Sequence, residues 1–302
     1  MRRLPVLLFL PALLSGCYLL RQAGGQLHIL LNRQGIDDLL GDPSVPEAQK
    51  EKLRLVREVK AFGEREMGLT RSSNYESFYD TQGTPITFIV SASAKDRFEP
   101  CTWWFPIVGT VPYKGFFSRD DAVVEARELE EEGYDVSLGA AAAYSTLGYF
   151  PDPVLSTMLD YPDEELVALI LHELTHGTIY LPGGTDFNEG LASFVGWQGA
   201  LEFARGRHGI SSEAYERTVR AFAEEEQRDA RAGELFRKLE EFYRSDLPRE
   251  RKIEKRDEVA GRKVNNAVIL MQRRYGRTDE FRRRFELVGG DWQAFFAELR
   301  KP

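Results

Sequence analysis

Residues 172–176 read His-Glu-Leu-Thr-His inside an apolar run that opens on Asp160, Pro162 and the acidic turn Asp163-Glu164-Glu165. Those start signals predict a helix from about Asp163 to Tyr180. Leu166, Leu169, Ile170 and Leu171 make it a buried one. Residues four apart share one helix face, one turn from each other, so His172 and His176 can reach a single zinc ion while Glu173 meets an attacking water as general base. The chain has four histidines, so two of them at this spacing are half its supply. Two core histidines without a metal are the alternative reading. It leaves two imidazoles and a carboxylate in an apolar helix with no evident partner to offset their desolvation, which a zinc ion would supply.

A catalytic zinc site needs a third protein ligand and one open position. Pro182-Gly183-Gly184 forbids helix continuation, and a second helix is predicted from about Asp186 to Arg207. A short loop makes such helices antiparallel neighbours, which brings Glu189 level with His176. The spacing Asp186-x-x-Glu189 also fits a capping box, in which Glu189 would only fold back on its own helix start. His208 is the rival third ligand. Cys17 and Cys101 are the only cysteines, so neither a disulfide framework nor a thiolate-held structural zinc site is available. Cys101 reads as a packed thiol. Tyr144, at the end of a predicted extended run, is a candidate donor to the oxyanion of a tetrahedral intermediate. Trp103, Trp104, Phe105 and Tyr149 could line an apolar pocket or belong to the core, and Asn265 and Asn266 could support the site or serve packing.

Around this centre the chain divides into residues 1–17, a leader; 18–84, a helical segment with helices over Leu27–Leu40 and Val45–Met67; and 85–302, the domain that carries the site. In the last, Ile86–Val90 predicts a strand, Ser118 with Asp121 a capped helix through Glu132, and Tyr134–Tyr144 a second extended run. Beyond Asp163 nearly everything has helical periodicity, over Ser211–Tyr243, Arg249–Tyr275, Thr278–Val288 and Trp292–Arg300. The expected fold class is α+β and zincin-like: a small sheet before the active-site helix and a predominantly helical C-terminal half. A formal net charge of -8 speaks against nucleic acid as a partner, because that affinity rests on clustered Lys and Arg.

The leader has a basic start, Arg2-Arg3, and an apolar stretch from Leu4 to Leu14, too short for the roughly 20 residues of a spanning helix. Its end, Leu13-Leu14-Ser15-Gly16-Cys17, resembles a bacterial lipobox. That resemblance implies acylation of Cys17 and a lipid-anchored, extracytoplasmic protein of the cell envelope. Tyr18 after the cysteine points to the outer membrane in a Gram-negative cell.

His-Glu-Leu-Thr-His followed by Asn188-Glu189-Gly190-Leu191-Ala192 resembles the gluzincin metallopeptidases. Together with Tyr113-Lys114-Gly115-Phe116-Phe117, the run from Tyr144 to Phe150 with Asp152-Pro153, and Asn265-Asn266-Ala267, the chain resembles the bacterial putative aminopeptidase lipoproteins. The resemblance covers most of the mature chain. It implies a zinc peptidase acting on peptide substrates, anchored to a membrane through lipid. Twelve residues separate His176 from Glu189, and no Gly-x-Met-Glu-Asn segment is present, so exo- and endopeptidase action both stay open. A zinc amidase acting on cell-wall peptides and a non-catalytic metal-binding lipoprotein are the alternatives.

Overall fold

The structure is a computed structural model. It describes residues 10–105, 108–141 and 150–300, with side chains described at Tyr18 and from residue 21 onward within those spans. Helix α1 (Leu10–Asn32) leads into a two-residue strand β1 (Gln34–Gly35), a short helix α2 (Ile36–Gly41) and helix α3 (Glu47–Phe62). The expected helix over Leu27–Leu40 is therefore broken. Gln34 and Gly35 are drawn into antiparallel pairing with Phe78 and Ser77 of β2 (Ser77–Tyr79). After α3 a wider turn over Gly63–Met67 ends at Gly68, whose φ of 79 stops the helix.

A second sheet is antiparallel throughout. Its centre is β3 (Phe88–Ser93), flanked by β6 (Lys114–Phe116) and β7 (Asp135–Ala140). Between β3 and β6 a hairpin of β4 (Trp103–Phe105) and β5 (Gly109–Val111) projects. Helix α4 (Arg119–Glu131) starts as the sequence predicts, with the Ser118 hydroxyl accepting from the Asp121 amide, and Gly133 at φ 91 follows its end. Strand β8 (Val154–Leu155) then runs parallel to β2 and leads toward helix α5 (Asp163–His176).

From there the chain is helical: α6 (Thr185–His208), α7 (Glu213–Tyr243), α8 (Arg249–Ala260), α9 (Asn266–Tyr275), α10 (Asp279–Leu287) and α11 (Trp292–Leu299). The α+β class with a helical C-terminal half is thus the observed architecture. The expected single helix over Arg249–Tyr275 is two helices. Gly261 takes a left-handed φ of 71 after α8, and the Asn265 side chain accepts from the Val268 amide to start α9. Among the described residues no helix is long and apolar enough to cross a membrane.

The main core lies around α5. Leu166, Ile170 and Leu171 share one buried cluster with Leu53, Val56 and Val59 of α3, Leu191 and Val195 of α6, and Phe281, Phe285, Phe295 and Phe296 of α10 and α11. Residues before 85 therefore share the core that buries the site helix. A buried polar joint fixes the C-terminal helices to the sheet. Arg256 on α8 grips Asp135 of β7 with two hydrogen bonds of 2.5 and 2.8 Å, and the Asn266 amide donates to the same carboxylate at 2.8 Å. Asn266 also donates to the Ala94 carbonyl and accepts from the Tyr243 hydroxyl. Asn265 and Asn266 are thus cap and clamp for α9, and the last turn of that helix carries Arg274 and Tyr275.

Candidate metal centre

Helix α5 ends on the second histidine. His176 is its last residue, four positions earlier than the expected end at Tyr180, because Gly177 and the loop up to Gly184 turn the chain back. The two Nε2 atoms of His172 and His176 face each other at 3.2 Å. From α6, Oε2 of Glu189 reaches in to 3.4 Å from His172 Nε2 and 3.8 Å from His176 Nε2. One ligand atom from each of these residues lies within 4.8 Å of the others.

Close approach of α5 and α6 makes this possible, and it depends on glycine. A Cβ on Gly196 would stand 2.6 Å from the Ala168 carbonyl oxygen and 3.3 Å from His172 Cβ; one on Gly199 would stand 2.7 Å from Leu171. The Gly196→Ala variant gains about 1 kcal/mol of helix propensity, but its methyl meets a backbone oxygen that cannot rotate away. Overpacking of this kind costs about 1–3 kcal/mol, so we expect lower stability in urea unfolding together with weaker metal binding. A variant as stable as the parent contradicts this account of the helix contact.

The alternative roles for Glu189 fall to geometry. Helix α6 begins at Thr185 behind Gly184, with no side-chain cap. Asp186 turns instead to Arg274 and Arg277, at 3.4 and 2.9 Å. His208 is the exposed last residue of α6, about 28 Å along the helix from Glu189 at 1.5 Å per residue. It does not take part.

The donor set fits zinc. Tetrahedral coordination with bonds of about 2.0–2.2 Å sets neighbouring ligand atoms about 3.3–3.5 Å apart, and the three observed separations bracket that range. Burial pushes His176 down to about 4, so its imidazole is neutral and has a lone pair to give. Burial also works against the charge on His172, but its hydrogen bond to Glu189 and the charges of Glu173 and Glu189 outweigh this and raise it. For Glu189, burial opposes ionisation; the His172 hydrogen bond and the charges of His176, His172 and Arg274 overcome it and hold the carboxylate ionised. His176 Nδ1 is buried with no hydrogen-bond partner, so Nε2 alone links this ring to the cluster.

Glu173 lies beside this group. Burial first, then the charges of Glu189 and Asp152, push its carboxyl up to about 7 against the pull of His172. Asp152 is itself buried, with its amide held by the Asn74 side chain and its carbonyl by the Tyr75 amide. Tyr75, fully buried at a left-handed φ of 59, feels the charges of both Glu173 and Asp152.

Tyr144 and Tyr149 lie outside the described residues. The phenols the structure brings to the centre are others. Burial and the charge of Glu189 raise Tyr113 and Tyr180, and the ring of Tyr275, 38% exposed, stands 6.1 Å from that of His172. Sequence reasoning passed over all three as site residues, although Tyr113 opens one of the segments that carry the family resemblance. Trp104 is 70% exposed on its hairpin, with Trp103 and Phe105 half-buried. Cys101 is a half-buried free thiol whose burial raises its pKa, which leaves it a poor nucleophile.

An α+β chain with a buried two-histidine, one-glutamate cluster is the class that fold and site define. A sequence model of the family described as putative aminopeptidase matches residues 17–263, and the chain belongs to that family. No curated protein and no solved structure matches it.

Proposed function

We propose that this chain is a zinc-dependent metallopeptidase of zincin-like build, with His172, His176 and Glu189 as metal ligands and Glu173 as general base. The observation that carries the reading is the convergence of three ligand atoms from α5 and α6 within 4.8 Å, with the buried Glu173 carboxyl next to them in sequence and in reach of their charges. Zinc held there would supply Lewis acidity to a peptide carbonyl and make a water acidic enough to give up a proton near neutral pH.

The remaining steps belong to the protein. Glu173 accepts the proton of the attacking water and returns it to the leaving amine. A dication at the cluster favours the ionised form of Glu173, as the first of these transfers requires. Tyr113 and Tyr180, raised by burial, and Tyr275, whose ring lies beside His172, are phenols that can donate to the oxyanion, the role assigned to Tyr144 from sequence. Metal-stripped protein should recover peptide hydrolysis on adding one equivalent of zinc. Unblocked peptides should be cleaved in preference to N-terminally blocked ones if the family's description holds for this member. Absence of any zinc-restored hydrolysis across a peptide panel sinks the proposal.

The leader and the sequence Ser15-Gly16-Cys17 support lipid anchoring at Cys17 on the outside of the cytoplasmic membrane or on the outer membrane. The natively expressed protein should show by mass a terminus at diacylated or triacylated Cys17. An intact Met1 on a cytoplasmic protein rules the anchor out.

A further inference from the structure

Two buried arginines differ in how the protein uses their donors. Arg256 has 10% of its side chain exposed, and it is met by both oxygens of Asp135 and by the Lys95 carbonyl. Arg274 is more deeply buried, at 7%, yet its one hydrogen bond is a 3.4 Å contact from Nε to Asp186. Asp186 is half-exposed and gives its other oxygen to Arg277 at 2.9 Å. The terminal nitrogens of Arg274 donate to no described residue. A largely buried guanidinium whose terminal donors the protein leaves unused, without their being among its fully buried unpartnered polar atoms, can offer them to a bound group.

Its position places it near the metal centre. The guanidinium carbon lies 5.8 Å from the centre of the Tyr113 ring, and its charge is felt at Glu189, Tyr113 and Tyr275. Asp186 and Glu189 are one helical turn apart on α6, so the cation that touches the first stands beside the metal centre. A planar fork of donors beside the Tyr113 ring suits a carboxylate bound in two-pronged fashion.

We infer that Arg274 binds a substrate carboxylate, so that the chain prefers peptides carrying a free α-carboxylate or an Asp or Glu side chain one residue beyond the cleaved bond. This rests on the peptidase reading above. The α-carboxylate carbon of a residue just past the scissile bond is only about 4 Å from the scissile carbon, so a peptide held at the metal centre carries that carboxylate close beside it. A dipeptide carries both this carboxylate and a free amino terminus, so the preference agrees with aminopeptidase action on very short peptides.

The test measures binding and does not need turnover. N-acetylphenylalanine and N-acetylphenylalanine amide are titrated into the metal-stripped full chain, with N-acetylaspartic acid α-amide as the side-chain arm. A charge-assisted hydrogen bond pair predicts that the wild type binds an acid at least about tenfold more tightly than the neutral amide. The arm that binds tightest identifies the source of the carboxylate. Arg274→Gln should lose the difference, Arg274→Lys should keep part of it, and Arg277→Gln should keep all of it. Equal binding of acids and amide by the wild type overturns the inference without any variant. So does an Arg274→Gln protein, folded by its melting curve, that still discriminates. If discrimination holds while no peptide is ever cleaved, the peptidase reading fails and the carboxylate site stands.

Discussion

Glu173→Gln is expected to keep a full equivalent of metal while kcat falls about 10²–10⁴-fold, the contribution typical of a positioned acid–base group. The amide matches the carboxylate in shape, and Glu173 lies outside the group of three converging ligand atoms, so metal content and turnover should separate. The substitution also removes a buried acid whose burial already pushes it up to about 7, so folding stability should not suffer from it. The measurement pairs elemental analysis with steady-state rates on a confirmed substrate. Loss of metal in this variant would move Glu173 into the coordination shell; unchanged kcat would remove it from the mechanism.

Glu189→Ala should lose metal and activity together. It takes away the only carboxylate of the cluster and leaves His172 without the hydrogen-bond partner that raises it. Removing groups that merely orient metal ligands costs about 10–100-fold in affinity, so deleting a ligand should cost at least the upper figure. Were Glu189 a helix cap, its loss would cost about 0.5–2 kcal/mol of stability and leave the metal bound. His208→Ala, at the exposed far end of α6, is the matched control and should retain a full equivalent. The reverse pattern after dialysis against a mild chelator would mean that the wrong third ligand has been named.

Much of the centre is local in sequence. A buried helix with histidines four apart, a Pro-Gly-Gly loop and a second apolar helix leave few ways to arrange Glu189, and the helices do pack as antiparallel neighbours. Its choice between ligand and cap was not local. What bears on it is where α6 starts and Gly196, whose missing side chain lets the helices close to contact. The α8–α9 break had a signal in Gly261 followed by Asn265, a stop and a start within five residues, hidden by the helical periodicity on both sides. Arg274, Tyr113 and Tyr275 carry no such signal. They reach the centre from a strand connection and from the end of α9, which the Asp135–Arg256–Asn266 joint holds in place, and one tyrosine among twelve says nothing locally about its destination.

Anomalous diffraction from a crystal of the mature protein, recorded on both sides of the zinc edge, addresses the coordination directly. The account predicts one peak about 2.0–2.2 Å from Nε2 of His172, Nε2 of His176 and Oε2 of Glu189, with the fourth position free of protein atoms. No peak among these three atoms, or a peak closed by a fourth protein ligand, would contradict it.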